Sequence, residues 1–205
     1  MNATERSRAA YAETGYSILP WEGSMYRRTV PRLVVLGDSH YHPEAEFRDD
    51  PARHESYSIG IVEDYLAGKR ERMHFWTKSL NLLSDVFFGR QLSPDEFYQR
   101  ITYHNVLVRM LEGFGQTPKP ENVRASVDPL RQFIRVASPD IVVMYGGRAP
   151  KYLGLLIGGQ GAQEHRAVRH DDVAYITTGH PMGTFRPAQA KLWLRHSLDE
   201  LGIFR

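Results

Sequence analysis

The sequence contains no cysteine. That absence excludes disulfides, thiolate zinc sites, iron–sulfur clusters and a cysteine nucleophile. It fits a reducing setting, and a cytoplasmic location is expected. Long apolar runs are also missing. No segment approaches the roughly 18 apolar residues of a membrane helix, and the opening MNATERSRAAYAET is polar and charged, without a signal-peptide core. No membrane partner is expected. Nor does one sign of charge dominate: 26 Lys and Arg stand against 24 Asp and Glu, for a net +2. Such slight basicity permits a nucleic-acid partner without demanding one. There is no internal repeat, low-complexity tract or linker-like stretch. At 205 residues the expectation is one domain with a full hydrophobic core. Residues 1–31 carry Tyr11, Tyr16, Trp21 and Tyr26, so this N-terminal extension is expected to pack on the domain.

Four short apolar runs are present: RLVVLG at 32–37, ITYHNVLV at 101–108, DIVVMYGG at 140–147 and VAYITTGHP at 173–181. Each is rich in β-branched or aromatic residues, as buried parallel strands are. Helical patterns lie between them, at 72–88 (Phe75, Trp76, Leu80, Leu83, Phe87), 123–136 (Val123 to Val136) and 187–201, where Pro187 suits a first turn. Strand–helix alternation predicts an α/β fold, a single three-layer α/β/α domain around a central, mostly parallel four-stranded sheet. Such sheets bind ligands beyond the carboxyl ends of their strands.

Chemistry-bearing residues cluster at those ends. The first run leads into Gly37-Asp38-Ser39-His40-Tyr41-His42, the second carries His104 and Asn105, the third leads to Gly146-Gly147-Arg148, and the fourth to Gly179-His180-Pro181. Taken singly, each has a structural alternative. An Asp after a strand often caps a helix, a His-Pro pair is often a turn, and a buried amide such as Asn105 needs partners that a ligand or a neighbouring backbone can supply. Their joint occurrence favours a site. A metal centre from His40, His42 and His54 fits no standard ligand spacing, so no metal is expected. Residues 43–68, polar and weakly periodic, read as a long insertion able to shape a pocket.

Two families resemble this pattern. VVLGDS resembles the opening block of the SGNH or GDSL esterases, which would make Ser39 a nucleophile. The late Asp-x-x-His of that family is broken here, because Thr177 stands three before His180. The second resemblance covers more of the chain. Gly-Asp-Ser-His-Tyr-His is similar to motif A of the uracil-DNA glycosylase superfamily, G-Q-D-P-Y-H, with the acid of Asp38 where the iron–sulfur branch has Glu. Tyr103-His104-Asn105-Val106-Leu107-Val108 resembles that branch's strand bearing T-N-V-V-K, and Pro139 to Gly146 its P-D-V-I-V-x-L-G strand. Gly179-His180-Pro181-Met182 resembles motif B, H-P-S. The sequence departs from the family at the missing cluster cysteines, at Ser39, at His40 and at Met182, which points to a divergent branch.

The resemblance implies a monofunctional DNA glycosylase that flips out a pyrimidine and hydrolyses its N-glycosidic bond without a cofactor. It implies Asp38 on the sugar side, stabilising the oxocarbenium ion and orienting water, and His180 on the base side. Asn105 would read the base edge, with Gly37, Tyr41 and His42 completing base binding. In classical enzymes the matching Tyr excludes 5-substituted pyrimidines, so Tyr41 decides whether a bulky base enters. Divergent members remove modified bases, glucosylated hydroxymethylcytosine among them, from phage DNA as antiviral defence. DNA contacts would come from Ser39, Thr184, Arg186 and Arg148, with Arg166 and Arg169 as further cations, and Met182 or Phe185 would fill the gap left by the flipped base. No Lys nucleophile for a lyase step is evident, Lys151 and Lys191 being the candidates. A monomer is expected. A non-catalytic nucleic-acid-binding module on the same fold remains a third reading.

Overall fold

The computed structural model describes residues 2–69, 74–113, 115–158, 167–181 and 186–203. Its centre is a six-stranded mixed sheet of β1 (Trp21–Glu22), β2 (Leu33–Gly37), β3 (Ile101–Asn105), β4 (Ile141–Tyr145), β5 (Ala167–His170) and β6 (Val173–Thr178), in the order β1-β3-β2-β4-β6-β5. The helices are α1 (Ala3–Tyr11), α2 (Ala45–Asp49), α3 (Pro51–His54), α4 (Tyr57–Leu66), α5 (His74–Phe88), α6 (Pro94–Tyr98), α7 (Pro120–Ala125), α8 (Val127–Ala137), α9 (Ala149–Leu156) and α10 (Pro187–Glu200).

The four expected strands form the parallel centre, in register from Leu33 beside Ile101 and Ile141 to Tyr145 beside Thr178. The four-stranded expectation is corrected at both edges. β1 pairs antiparallel with β3, and β5 antiparallel with β6. β1 is only two residues long and β5 is largely half-buried, so neither produces an apolar run. The expected helix over 123–136 divides into α7 and α8 around Ser126, whose hydroxyl donates to the Asn122 carbonyl and accepts from the Val108 N–H.

Alternation along the strands builds two cores. Leu33, Val35, Ile141 and Val143 face one core with Ile59, Leu83 and Leu194, from α4, α5 and α10. Val34, Leu36, Val142 and Met144 face the other with Phe133 and Leu153, from α8 and α9. Strands buried on both faces read as continuous apolar runs, which is why these four were legible.

The N-terminal segment is built into this body. Tyr11 and Tyr26 are fully buried. Buried Glu22 accepts a short hydrogen bond from the Tyr11 hydroxyl and a forked pair from Arg27 at 3.0 and 2.7 Å. Glu22→Ala leaves the phenol without its acceptor and Arg27 without its carboxylate. It should cost about 2 kcal/mol, measured by urea unfolding. Among the described residues no helix is long and apolar enough to cross a membrane.

Candidate functional site

The chain leaves β2 for β3 on one side of the sheet and leaves β4 for β6 on the other. The crevice between the carboxyl ends of β2 and β4 is therefore the topological switch point of the sheet, where open α/β folds bind ligands. A cavity of about 640 Å³ opens there. Asp38, Asn105, Arg148 and His180, from four different strand ends, all line it.

Backbone bonds fix the two loops that carry Asp38 and Asn105. Val106 N–H donates to Gly37 O at 3.0 Å, Leu107 N–H to Asp38 O at 3.1 Å, Leu111 N–H to His40 O at 2.8 Å, and His42 N–H to Leu111 O at 2.9 Å. The segment after β2 is thereby zipped along the segment after β3. Gly37 is required by close approach. A Cβ there would lie 2.1 Å from Asn105 Oδ1 and 2.9 Å from the Tyr103 hydroxyl. Gly37→Ala should displace Asn105 and destabilise the protein by about 1–3 kcal/mol; thermal melts check this.

Asp38 is paired with Arg148. Arg148 Nε donates to Oδ2 at 3.0 Å, and Nη2 makes a short bond to the same oxygen. Oδ1 is buried and has no hydrogen-bond partner of good geometry among the described residues. The phenol of Tyr152 stands close by, its pKa raised by burial and then by the charge of Asp38. Asp38 also holds the Arg148 guanidinium above its usual range.

Asn105 is buried, and its Oδ1 accepts from the Tyr103 hydroxyl at 3.0 Å. Burial raises the Tyr103 phenol, so it stays protonated and donating. The amide orientation is thus fixed from inside the protein. His180 is half-buried; burial lowers its pKa, opposed by the charge of Asp38, so the ring is neutral at pH 7. Its ring lies 5.3 Å from that of Phe75, which also meets Tyr145 at 5.6 Å and Tyr103 at 6.0 Å. Phe75 and Trp76 form an aromatic wall of the cavity. In sequence they read as core positions of a helix, and nothing in their spacing marks them as lining.

The other expected residues are placed as follows. Ser39 and Tyr41 line the cavity, and Tyr41 stands at its rim, 46% exposed. His42 is not among the lining residues; its ring stacks on Phe47 at 4.1 Å. Arg186 is exposed at the start of α10. Arg169 donates to the Leu201 carbonyl at 2.9 Å, and Lys191 pairs with Asp85 at 2.5 Å. Met182, Thr184, Phe185 and Arg166 lie outside the described residues. Residues 43–68 include three helices, α2 to α4, and α4 contributes Tyr57 and Ile61 to the cavity wall. His40 and His54 are engaged with Ser58 and Ser17, and among the described residues no group of three or more His, Asp or Glu is disposed to hold a metal.

Comparison of the whole chain with known protein families and with curated proteins gives no match.

Proposed function

We propose that this protein is a DNA glycosylase with a uracil-DNA glycosylase-like α/β/α domain, which draws a pyrimidine base out of DNA and hydrolyses its N-glycosidic bond. The observation that carries this reading is the convergence of a carboxylate, a neutral imidazole and an oriented buried amide on one aromatic-walled cavity at the switch point. Cleavage of the bond leaves positive charge on the sugar and negative charge on the base. Fixed groups of opposite character on the two sides stabilise that separation with little reorganisation. Asp38 serves the sugar and orients water, His180 donates to the departing base, and Asn105 reads the base edge. The base must leave the stack to reach them, and Phe75 and Trp76 supply aromatic wall where it would sit.

The cavity is of the size that holds a drug-sized ligand rather than a bare ring. Tyr41 is 46% exposed rather than buried in the cavity. Both favour a bulky modified base such as glucosylated hydroxymethylcytosine in phage DNA, and with it an antiviral role. No cofactor enters this chemistry. Neither Lys151 nor Lys191 lines the cavity, in keeping with a monofunctional enzyme.

The esterase reading has less support. Ser39 makes no hydrogen bond to a histidine among the described residues, and the acid beside it is engaged by Arg148. A Ser nucleophile needs such a base within reach.

Mass spectrometry of free bases tests the proposal. The protein is incubated with uracil-containing DNA, unmodified DNA and glucosylated hydroxymethylcytosine DNA. Release from the glucosylated DNA is the expected result. Binding to DNA with no release from any substrate would leave a binding module instead.

A further inference from the structure

We propose that Arg148 is a positioning residue for Asp38 rather than a contact to the DNA backbone; this rests on the glycosylase reading above. From sequence alone Arg148 is a cation in a glycine-rich loop at a strand end, the pattern of a phosphate grip. The geometry assigns it differently.

Arg148 reaches Asp38 because of the turn before it. Gly146 adopts φ 112, a conformation a side chain would strain, and its N–H donates to Thr178 O at 3.0 Å. A Cβ on Gly146 would sit 4.0 Å from the Asp38 Cβ, so the turn passes directly beside the carboxylate. Arg148 then directs both Nε and Nη2 onto one oxygen, Oδ2. Its Nη1 donates to the Gln116 carbonyl at 3.4 Å. One guanidinium therefore ties together the loops after β2, β3 and β4.

The consequence for chemistry lies in how the two carboxylate oxygens divide their work. Oδ2 carries both Arg148 bonds, while Oδ1 is buried and the Tyr152 phenol stands beside the carboxylate. An unrestrained Asp would rotate about χ2 and exchange its oxygens. The forked contact stops that rotation and fixes the plane of the carboxylate in the cavity wall. A planar guanidinium can do this, whereas an ammonium acts as a point charge. The side chains of Asp38 and Arg148 are 17% and 34% exposed, so the contact is partly shielded from water and removing Arg148 leaves the carboxylate without its counter-charge.

A double-mutant cycle on the full chain tests this. Wild type, Arg148→Ala, Asp38→Asn and the double variant are assayed for base release from glucosylated hydroxymethylcytosine DNA and uracil-containing DNA. Arg148→Ala should lower kcat about 100-fold while KM stays within about twofold, as expected for a misplaced reacting group. Added guanidinium should restore part of that loss, and Arg148→Ala should cost nothing further in the Asp38→Asn background. The dependence of DNA affinity on salt should be unchanged. Additive effects, or a weaker Kd with a salt slope reduced by about 0.9, overturn the proposal and make Arg148 a phosphate contact. If Arg148→Ala does not fold, Arg148→Lys replaces it: a fall in kcat at unchanged salt slope supports positioning, and unchanged kcat refutes it. A wild type that releases no base from either DNA refutes the glycosylase reading itself, whereas release by wild type with an additive cycle refutes only the role of Arg148.

Discussion

Asp38→Asn should reduce base release by about 100- to 10,000-fold, with DNA affinity little changed. The amide keeps the shape of the carboxylate and still offers Arg148 an oxygen, so the loop retains its bonds to Val106 and Leu107. In the proposed glycosylase reaction, what disappears is the negative charge near the sugar as positive charge develops there. In a partly desolvated site that charge is worth about 3–5 kcal/mol of barrier. The measurement is single-turnover release from the most reactive DNA, beside a binding titration at the same salt. Full release by the variant would remove Asp38 from the chemistry. A loss confined to affinity would instead make it a binding residue.

The second large effect is on stability in acid. His40 and His104 are buried beside the site, with ring centroids 6.3 Å apart. His40 bonds the Ser58 hydroxyl at 2.7 Å and packs on Tyr57. His104 lies among Tyr16, Phe133 and His40, and neither of its ring nitrogens has a hydrogen-bond partner among the described residues. Burial pushes His40 down to about 3, helped by the nearby His54, and pushes His104 well below its usual value. An unfolded imidazole titrates near 6.5. Between there and the folded values the unfolded chain binds more protons, so stability is complete above pH 6.5 and declines as pH falls. From pH 6.5 to 5 His40 should cost about 2 kcal/mol, and His104 adds a loss of the same sign. Urea unfolding at pH 7, 6 and 5 measures the decline. His104→Phe should be as stable as wild type or more so at pH 7, because it removes two unsatisfied buried atoms. Its pH slope should be shallower by one proton. An unchanged slope would show that His104 does not titrate on unfolding.

Much of the site was legible because its residues follow strands. Asp38, Arg148 and His180 lie at or just past the ends of buried strands, Asn105 sits within the second run and ends β3, and parallel topology brings those ends together. The aromatic wall was not legible. Phe75, Trp76 and Tyr103 have the spacing of core residues, and they are core residues with one face turned to the cavity. Periodicity reports burial and does not distinguish protein from pocket. Motif spacing has a similar limit at Tyr41 and His42, where the loop fixes the order of side chains but tertiary pairing with Leu111 decides which one faces inward. Likewise Arg148 looks like a phosphate grip until the turn at Gly146 directs it onto Asp38.

The two residues of β1 matter beyond their length. By pairing with Tyr103 and Thr102 they turn β3, the strand that ends in Asn105, from a border of the sheet into an interior strand. Bare strand borders recruit other chains. The segment before Arg32 therefore acts as a guard for the strand behind the pocket. A chain trimmed to its conspicuous α/β alternation would keep every residue that touches the cavity, yet expose an apolar border and become prone to self-association.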